Sequence, residues 1–287
     1  MSRHEMHTLR FDSMVEAANF AATTTRCHGS YQQSEKRTTD DTWALGETLE
    51  TTIEKVRTGY VWSTGLETMS SAMDVTDRLA ARAMLPRVKH DIVGSSVSVG
   101  AYITGHPLCM RRRQRMPAVD KPVLSIGIPM GIVWSTKAEE RLNMGAAMLS
   151  AVDKLESNGY RCELVAVWRA SGDNCDDYSN WVNIEYMLKR AQDRWNPATL
   201  AFVMAHPAVT RRLTWRIAET QKQWKNAVSD SYLSNKNTEK FHTSMAGDFD
   251  IYFNNMIPSM CARCKTPAGA FEYIAEVINQ QLAEQEQ

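Results

Sequence analysis

The fold class is decided by three neighbouring stretches: Val123-Leu124-Ser125-Ile126-Gly127-Ile128, the run from Ala138 to Asn158, and the run from Arg161 to Trp168. The first is an apolar run of strand length. The second places Leu142, Ala146, Leu149, Val152 and Leu155 on or near one stripe at three- and four-residue spacing, the period of a helix, and Gly159 closes it. The third carries Leu164, Val165, Ala166 and Val167 in near-continuous order, as in a strand covered on both faces. A strand, a long helical crossover and a second strand predict a parallel pair.

Working outward, Val182 to Trp195 reads as a helix and Thr199-Leu200-Ala201-Phe202-Val203-Met204 as a third strand. Pro207 opens a helix running to about Trp224. Asp250-Ile251-Tyr252-Phe253 is a candidate fourth strand, and a last helix runs from about Pro267 to Leu282. Upstream, Leu9-Arg10-Phe11 suits a short strand, and Asp12 or Ser13 caps a helix from Met14 to about Ala22. Thr23 to Asp41 is polar and reads as a long loop. Glu47 to Thr58 predicts a helix ended by Gly59, and Leu66 to Met84 another, stopped at Pro86. The expectation is a three-layer α/β domain with a mostly parallel sheet flanked by helices. Residues 121–287 form its core and residues 1–120 a mixed, helix-rich elaboration of the same unit. The alternative is a split near residue 117.

Composition narrows the function classes. Lys plus Arg total 33 and Asp plus Glu total 33 in 287 residues, so the net charge is zero. That argues against a wholesale basic nucleic-acid coat and against an acidic tail protein. Hydrophobic residues at 43% and charged residues at 23% fit an ordinary globular chain. No apolar run approaches the roughly 18 residues of a membrane span, and the first residues lack the apolar core of a secretory signal. A cytoplasmic chain without membrane partners is therefore expected, with its six cysteines reduced. The sixteen methionines suit adaptable core packing.

Three loops should gather beyond the carboxyl ends of parallel strands, where ligands collect in such sheets. They are Pro129 to Thr136, Ser171 to Ser179, and Ala205-His206-Pro207. Convergence of Asp173, Asp176, Asp177, His206 and Arg211 would suit a hard divalent cation; the alternative is that the Asp cluster is a solvated turn. Arg211 and Arg212 fall in the first turns of the helix opened by Pro207, where backbone amides also attract anions; alternatively they pair with carboxylates such as Glu219 or Asp173. The densest basic run is Arg111-Arg112-Arg113-Gln114-Arg115. It suits phosphate contacts or a solvated loop, and the run itself holds no aromatic for base stacking. Cys261-Ala262-Arg263-Cys264 is a lone C-x-x-C. Two free thiols, a structural zinc with remote helpers, and redox work all remain open. No P-loop, dinucleotide fingerprint, H-E-x-x-H, G-x-S-x-G or kinase signature occurs.

Several strings together resemble an uncharacterised family common in tailed-phage genomes. They are Val97 to Met110, which contains Gly105-His106-Pro107-Leu108-Cys109-Met110; Leu155 to Glu163; and His206-Pro207-Ala208-Val209-Thr210-Arg211-Arg212. The segment Trp43 to Gly59 is similar too. His106 stands where the family carries a carboxylate before the Pro, and Gly46 is single where a Gly pair is usual. The resemblance implies a viral protein at work in the cytoplasm of an infected bacterium. The stretch Asn143 to Val167 also resembles the first crossover of a von Willebrand factor A-type domain. That domain holds a metal through D-x-S-x-S after its first strand; here the corresponding Ile128 to Ile132 has no Asp, which implies a degenerate site. Three functions are then expected, in this order. The first is a non-enzymatic binding or adaptor protein acting on a host or phage protein. The second is a nucleic-acid-binding or processing protein using the two arginine clusters. The third is a small-molecule enzyme with His206 as general base. No cofactor is assigned.

Overall fold

A computed structural model describes residues 7–27, 35, 44–67, 88–92, 96–97, 99–113, 123–130, 137–157, 159–171, 181–194, 196–221, 248–253 and 262–285. Strand β1 spans His7–Phe11, helix α1 Met14–Thr23 and α2 Leu49–Arg57. Strands β2 (Val88–Asp91), β3 (Ser96–Val97) and β4 (Met110–Arg113) follow, with the short helix α3 (Val99–Ile103) between the last two. Then come β5 (Val123–Pro129), α4 (Ala138–Ser157), β6 (Arg161–Ser171), β7 (Trp181–Lys189) and α5 (Pro197–Ala205). A π-helical turn over Val209–Thr214 leads into α6 (Trp215–Glu219), and β8 (Ile251–Tyr252) and α7 (Pro267–Gln285) complete the order.

Five strands make the main sheet in the order β1-β7-β6-β5-β8. The β1–β7, β6–β5 and β5–β8 pairs are parallel, and only β6–β7 is antiparallel. The sheet is therefore mostly parallel with flanking helices, an α/β fold. The β5–α4–β6 crossover is the expected one, and Gly159 takes the positive φ that ends α4. One sheet face is built by alternation: Leu124, Ile126 and Ile128 on β5, Leu164, Ala166 and Trp168 on β6, and Val182, Ile184 and Tyr186 on β7. Met144, Met148, Val152 and Leu155 of α4 pack on it, with Ala270, Ile274 and Ile278 of α7. Each such aliphatic side chain contributes about 1.5–3 kcal/mol on burial. Val165 and Val167, on alternate positions of β6, form a second small cluster with Phe249 and Tyr252.

The N-terminal residues join this layer. β1 is an edge strand of the main sheet, and Phe11, Met14, Ala17, Ala18 and Ala21 share its core with Leu49, Ile53 and Val56 of α2. Ser13 caps α1 by accepting from the Glu16 N–H, and Thr48 with Thr51 forms a reciprocal cap on α2. A separate three-stranded antiparallel sheet, β2-β4-β3, sets Lys89 opposite Arg112 and His90 opposite Arg111.

Three expectations are corrected. Val182 to Lys189 is strand β7, not helix, because Val182, Ile184 and Tyr186 alternate into the core while Asn183 and Glu185 take the other face. Thr199 to Met204 lies in helix α5, not a strand. Its six-residue apolar run suits a helix buried nearly all round, and Asn196 caps it with Pro197 at the first helical position. Arg111, Arg112 and Arg113 are strand residues of β4, not a solvated loop. The expected helix Leu66 to Met84 lies outside the described residues beyond position 67.

Candidate functional site

Two regions draw on the predicted site residues. The first lies at the carboxyl end of β5. Met130 is buried there, and its carbonyl accepts a 2.8 Å hydrogen bond from the Thr210 hydroxyl of the π-helical turn. Arg141, near the start of α4, lies against the same point. Its Nη1 donates to the Pro129 carbonyl at 3.3 Å and its Nη2 approaches the Met130 thioether at 3.7 Å. Burial first, and then the nearby Arg211 charge, lower the Arg141 pKa to about 10, while the Cys264 thiol works the other way. Asn143 of α4 donates to the Cys264 carbonyl at 3.1 Å, so the end of the C-x-x-C segment is tied to the same helix.

The His-Pro segment that follows α5 sits inside the molecule. His206 closes α5, its N–H donating to the Phe202 carbonyl at 3.0 Å. Its Nδ1 accepts from the Ala208 N–H at 3.2 Å. The ring lies edge-on to Trp62, with centroids 4.5 Å apart, and 4.7 Å from Phe202. Burial pushes the imidazole down to about 4, against the opposing pull of the Glu47 carboxylate. A group of that pKa is neutral at pH 7 and a weak proton acceptor. Arg211 and Arg212 are buried as well, and the Arg212 Nε donates to the Glu47 carbonyl at 3.1 Å. Glu47 itself hydrogen-bonds Lys55 and the Thr51 hydroxyl, which outweigh its burial and keep its carboxyl below the usual range. The H-P-x-x-x-R-R string thus joins α5, α2 and the carboxyl end of β5 from within.

The second region is the β2–β4 sheet. The residues from α3 to the start of β4 form its tip, with Gly105 in a left-handed conformation and the His106 N–H donating to the Ala101 carbonyl at 2.8 Å. Tyr102 is 67% and Ile103 77% exposed, and Ile92, Val97 and Leu108 of the same small sheet are exposed too. Periodicity passes over this feature, because the segment is too short to show a stripe. Its signal is local: large apolar residues within a string punctuated by Gly100, Gly105 and Pro107.

Asp173, Asp176, Asp177, Arg115 and Cys261 lie outside the described residues. Cys264 is buried. Among the described residues no group of three or more His, Cys, Asp and Glu could hold a metal ion, and no helix is long and apolar enough to cross a membrane.

A family model described as a domain of unknown function, DUF7192, matches residues 3–266. The chain belongs to that family. The DUF7192 match takes in both β1 and the whole β2–β4 sheet and ends immediately before α7. No curated protein and no solved structure matches the chain.

Proposed function

We propose that this DUF7192 chain is a non-enzymatic binding or adaptor protein, encoded by a phage and acting on a host or phage protein in the infected cell's cytoplasm. The supporting observation is the β2–β4 tip. Isolated apolar side chains on a surface are ordinary. Five of them in and beside one small sheet, with Ile103, Ile92 and Tyr102 the most open, are what a partner surface presents. Aromatic anchors of this type carry much of the energy in protein interfaces. The string Val97 to Met110, on which the phage resemblance rests, coincides with this tip. The buried His206, Arg211 and Arg212 suit a framework role better than solvent-facing chemistry.

A Tyr102→Ser/Ile103→Ser double variant tests the reading. Both side chains are exposed, so the variant keeps the wild-type melting temperature. Tagged wild-type protein, incubated with nuclease-treated infected-cell lysate, retains a stoichiometric protein that the variant loses. An identical set of retained proteins for both would refute the reading.

A second reading is a nucleic-acid contact through β4. The backbone register sets Lys89 opposite Arg112 and His90 opposite Arg111, and basic residues gathered on one strand pair are the residue types that contact a phosphate backbone. The von Willebrand A-type likeness is likewise a proposal. The parallel β5–α4–β6 crossover supports it, and Met130 is buried where that domain type has its metal-binding loop, in keeping with a degenerate site.

A further inference from the structure

The outer edge of β8 is closed by a side chain. β8 stands last in the sheet order, and its register pairs it with β5 on one side. On that side the Phe253 N–H donates to the Gly127 carbonyl at 3.2 Å. Backbone groups alternate along a strand, so those of Tyr252 point to the outer edge, where a further strand could take them up. Gln281 of α7 takes them instead. The Tyr252 N–H donates to Gln281 Oε1 at 2.7 Å, and Gln281 Nε2 donates to the Tyr252 carbonyl at 3.1 Å. One amide thus exchanges both bonds with one residue, as the opposite residue does in a hydrogen-bonded antiparallel pair. Gln281 lies beyond Ile278, the last buried apolar residue of α7, and Leu282 after it is only partly buried. The helix ends at Gln285. Helix ends fray, so this contact can open while Ala270, Ile274 and Ile278 stay on α4. α7 also lies beyond the residues that the family model matches.

We propose that the end of α7 is a releasable guard on the β8 edge, and that its release lets β8 pair antiparallel with β8 of a second copy of this chain. The bonding pattern selects a second copy. On a two-fold axis beside Tyr252, each chain offers the one donor and one acceptor that the other needs, as an isologous contact requires. The zero net charge sets no long-range repulsion between two copies. The edge belongs to the main sheet, so the proposal is independent of the β2–β4 tip.

The test joins amide hydrogen exchange with sedimentation equilibrium, both on the full chain. In wild type the Tyr252 amide should exchange by local opening, at least about tenfold faster than the Leu164 and Ala166 amides of the central strand β6. That exchange should slow as protein concentration rises. Gln281→Leu keeps a good helix former and removes both bonds to Tyr252. It should self-associate at least about tenfold more tightly than wild type, with the Tyr252 amide protected in the associated form. Asn279→Leu puts the same leucine at an exposed position of α7 and should associate as wild type does. Tyr252 exchange no faster than that of β6 would mean a fixed contact and overturn the proposal. So would a Gln281→Leu protein that associates no more than wild type, an equal effect of Asn279→Leu, or association that leaves Tyr252 exchange unchanged. If Gln281→Leu does not fold, the wild-type exchange rates across protein concentration decide alone.

Discussion

At the residue scale, Leu45 holds φ +49°, followed by Gly46 at +76°. Left-handed backbone costs a residue with a Cβ about 1 kcal/mol or more, and glycine almost nothing. This turn lies in the segment where the phage-family resemblance leads one to expect two glycines, and the chain keeps one. Leu45 is 37% exposed, so more than half of its surface is buried, and losing that burial offsets the backbone relief. Leu45→Gly should therefore leave stability within about 1 kcal/mol of wild type. Urea unfolding of the two proteins checks it, and a loss of more than about 2 kcal/mol would show that the turn is unstrained. His206 gives a second prediction. Its pKa falls from about 6.5 to about 4 on folding, so between those values the unfolded chain binds the extra proton. Stability is then fully present above pH 6.5 and lost as pH falls toward 4. At about 1.4 kcal/mol per unit, the loss from this one group reaches roughly 3 kcal/mol. Unfolding free energies of wild type and His206→Asn, measured from pH 7 to 4, should differ in slope over that window and run parallel above it.

At the scale of elements, Gly127 is the position where β5 meets its second-face neighbours. A Cβ there would stand 2.5 Å from the Phe249 ring and 2.7 Å from the Tyr252 ring. Those rings lie 6.1 Å apart in a stacked pair and cover Val165 and Val167. Gly127→Ala should cost about 1–3 kcal/mol by forcing that pair off the strand. Equilibrium denaturation monitored by aromatic near-ultraviolet dichroism reports both the loss and its location, and an unchanged midpoint would contradict the packing. The elements also show what the sequence makes readable. The strands β5 and β6, the long helix α4 and the helix α7 follow from apolar period and glycine stops. Two elements invert for identifiable reasons. In β7 the alternation of Val182, Ile184 and Tyr186 competes with a spacing that also fits a helix, and the antiparallel return from β6 leaves no periodic mark. In α5 a run of six apolar residues has no period, and the decisive signal is the cap Asn196 with Pro197, outside the run. Arg141 is readable in retrospect. It stands three residues before Met144, seven before Met148 and eleven before Val152, on a buried stripe of α4, but an arginine in the first turns of a helix ordinarily faces water.

At the scale of the whole molecule, a zero net charge over 287 residues leaves little long-range field to steer a polyanion toward the surface. Any nucleic-acid affinity must therefore be local. Burial takes Arg211 and Arg212 out of account, and of the two arginine clusters this leaves the one that begins on β4, which the register places beside Lys89: Arg111, Arg112 and Arg113. Four phosphate contacts at most give a slope of about −3 to −4 for log affinity against log salt on duplex DNA, and slightly less on a single strand. A steeper slope would require basic residues outside this sheet. The experiment is a fluorescence-anisotropy titration of labelled single-stranded and duplex oligonucleotides from 50 to 300 mM salt, about the range over which such contacts are lost. Wild type is compared with Arg111→Gln/Arg113→Gln and with the Tyr102→Ser/Ile103→Ser variant. If β4 is a nucleic-acid contact, the arginine variant lowers the slope by about 2. If Tyr102 stacks on a base, the tip variant weakens the single strand alone. Flat, negligible binding by wild type at the lowest salt removes nucleic acid as the partner. The exposed apolar tip is then left to a protein, whose affinity, resting on apolar burial, should change little over the same salt range.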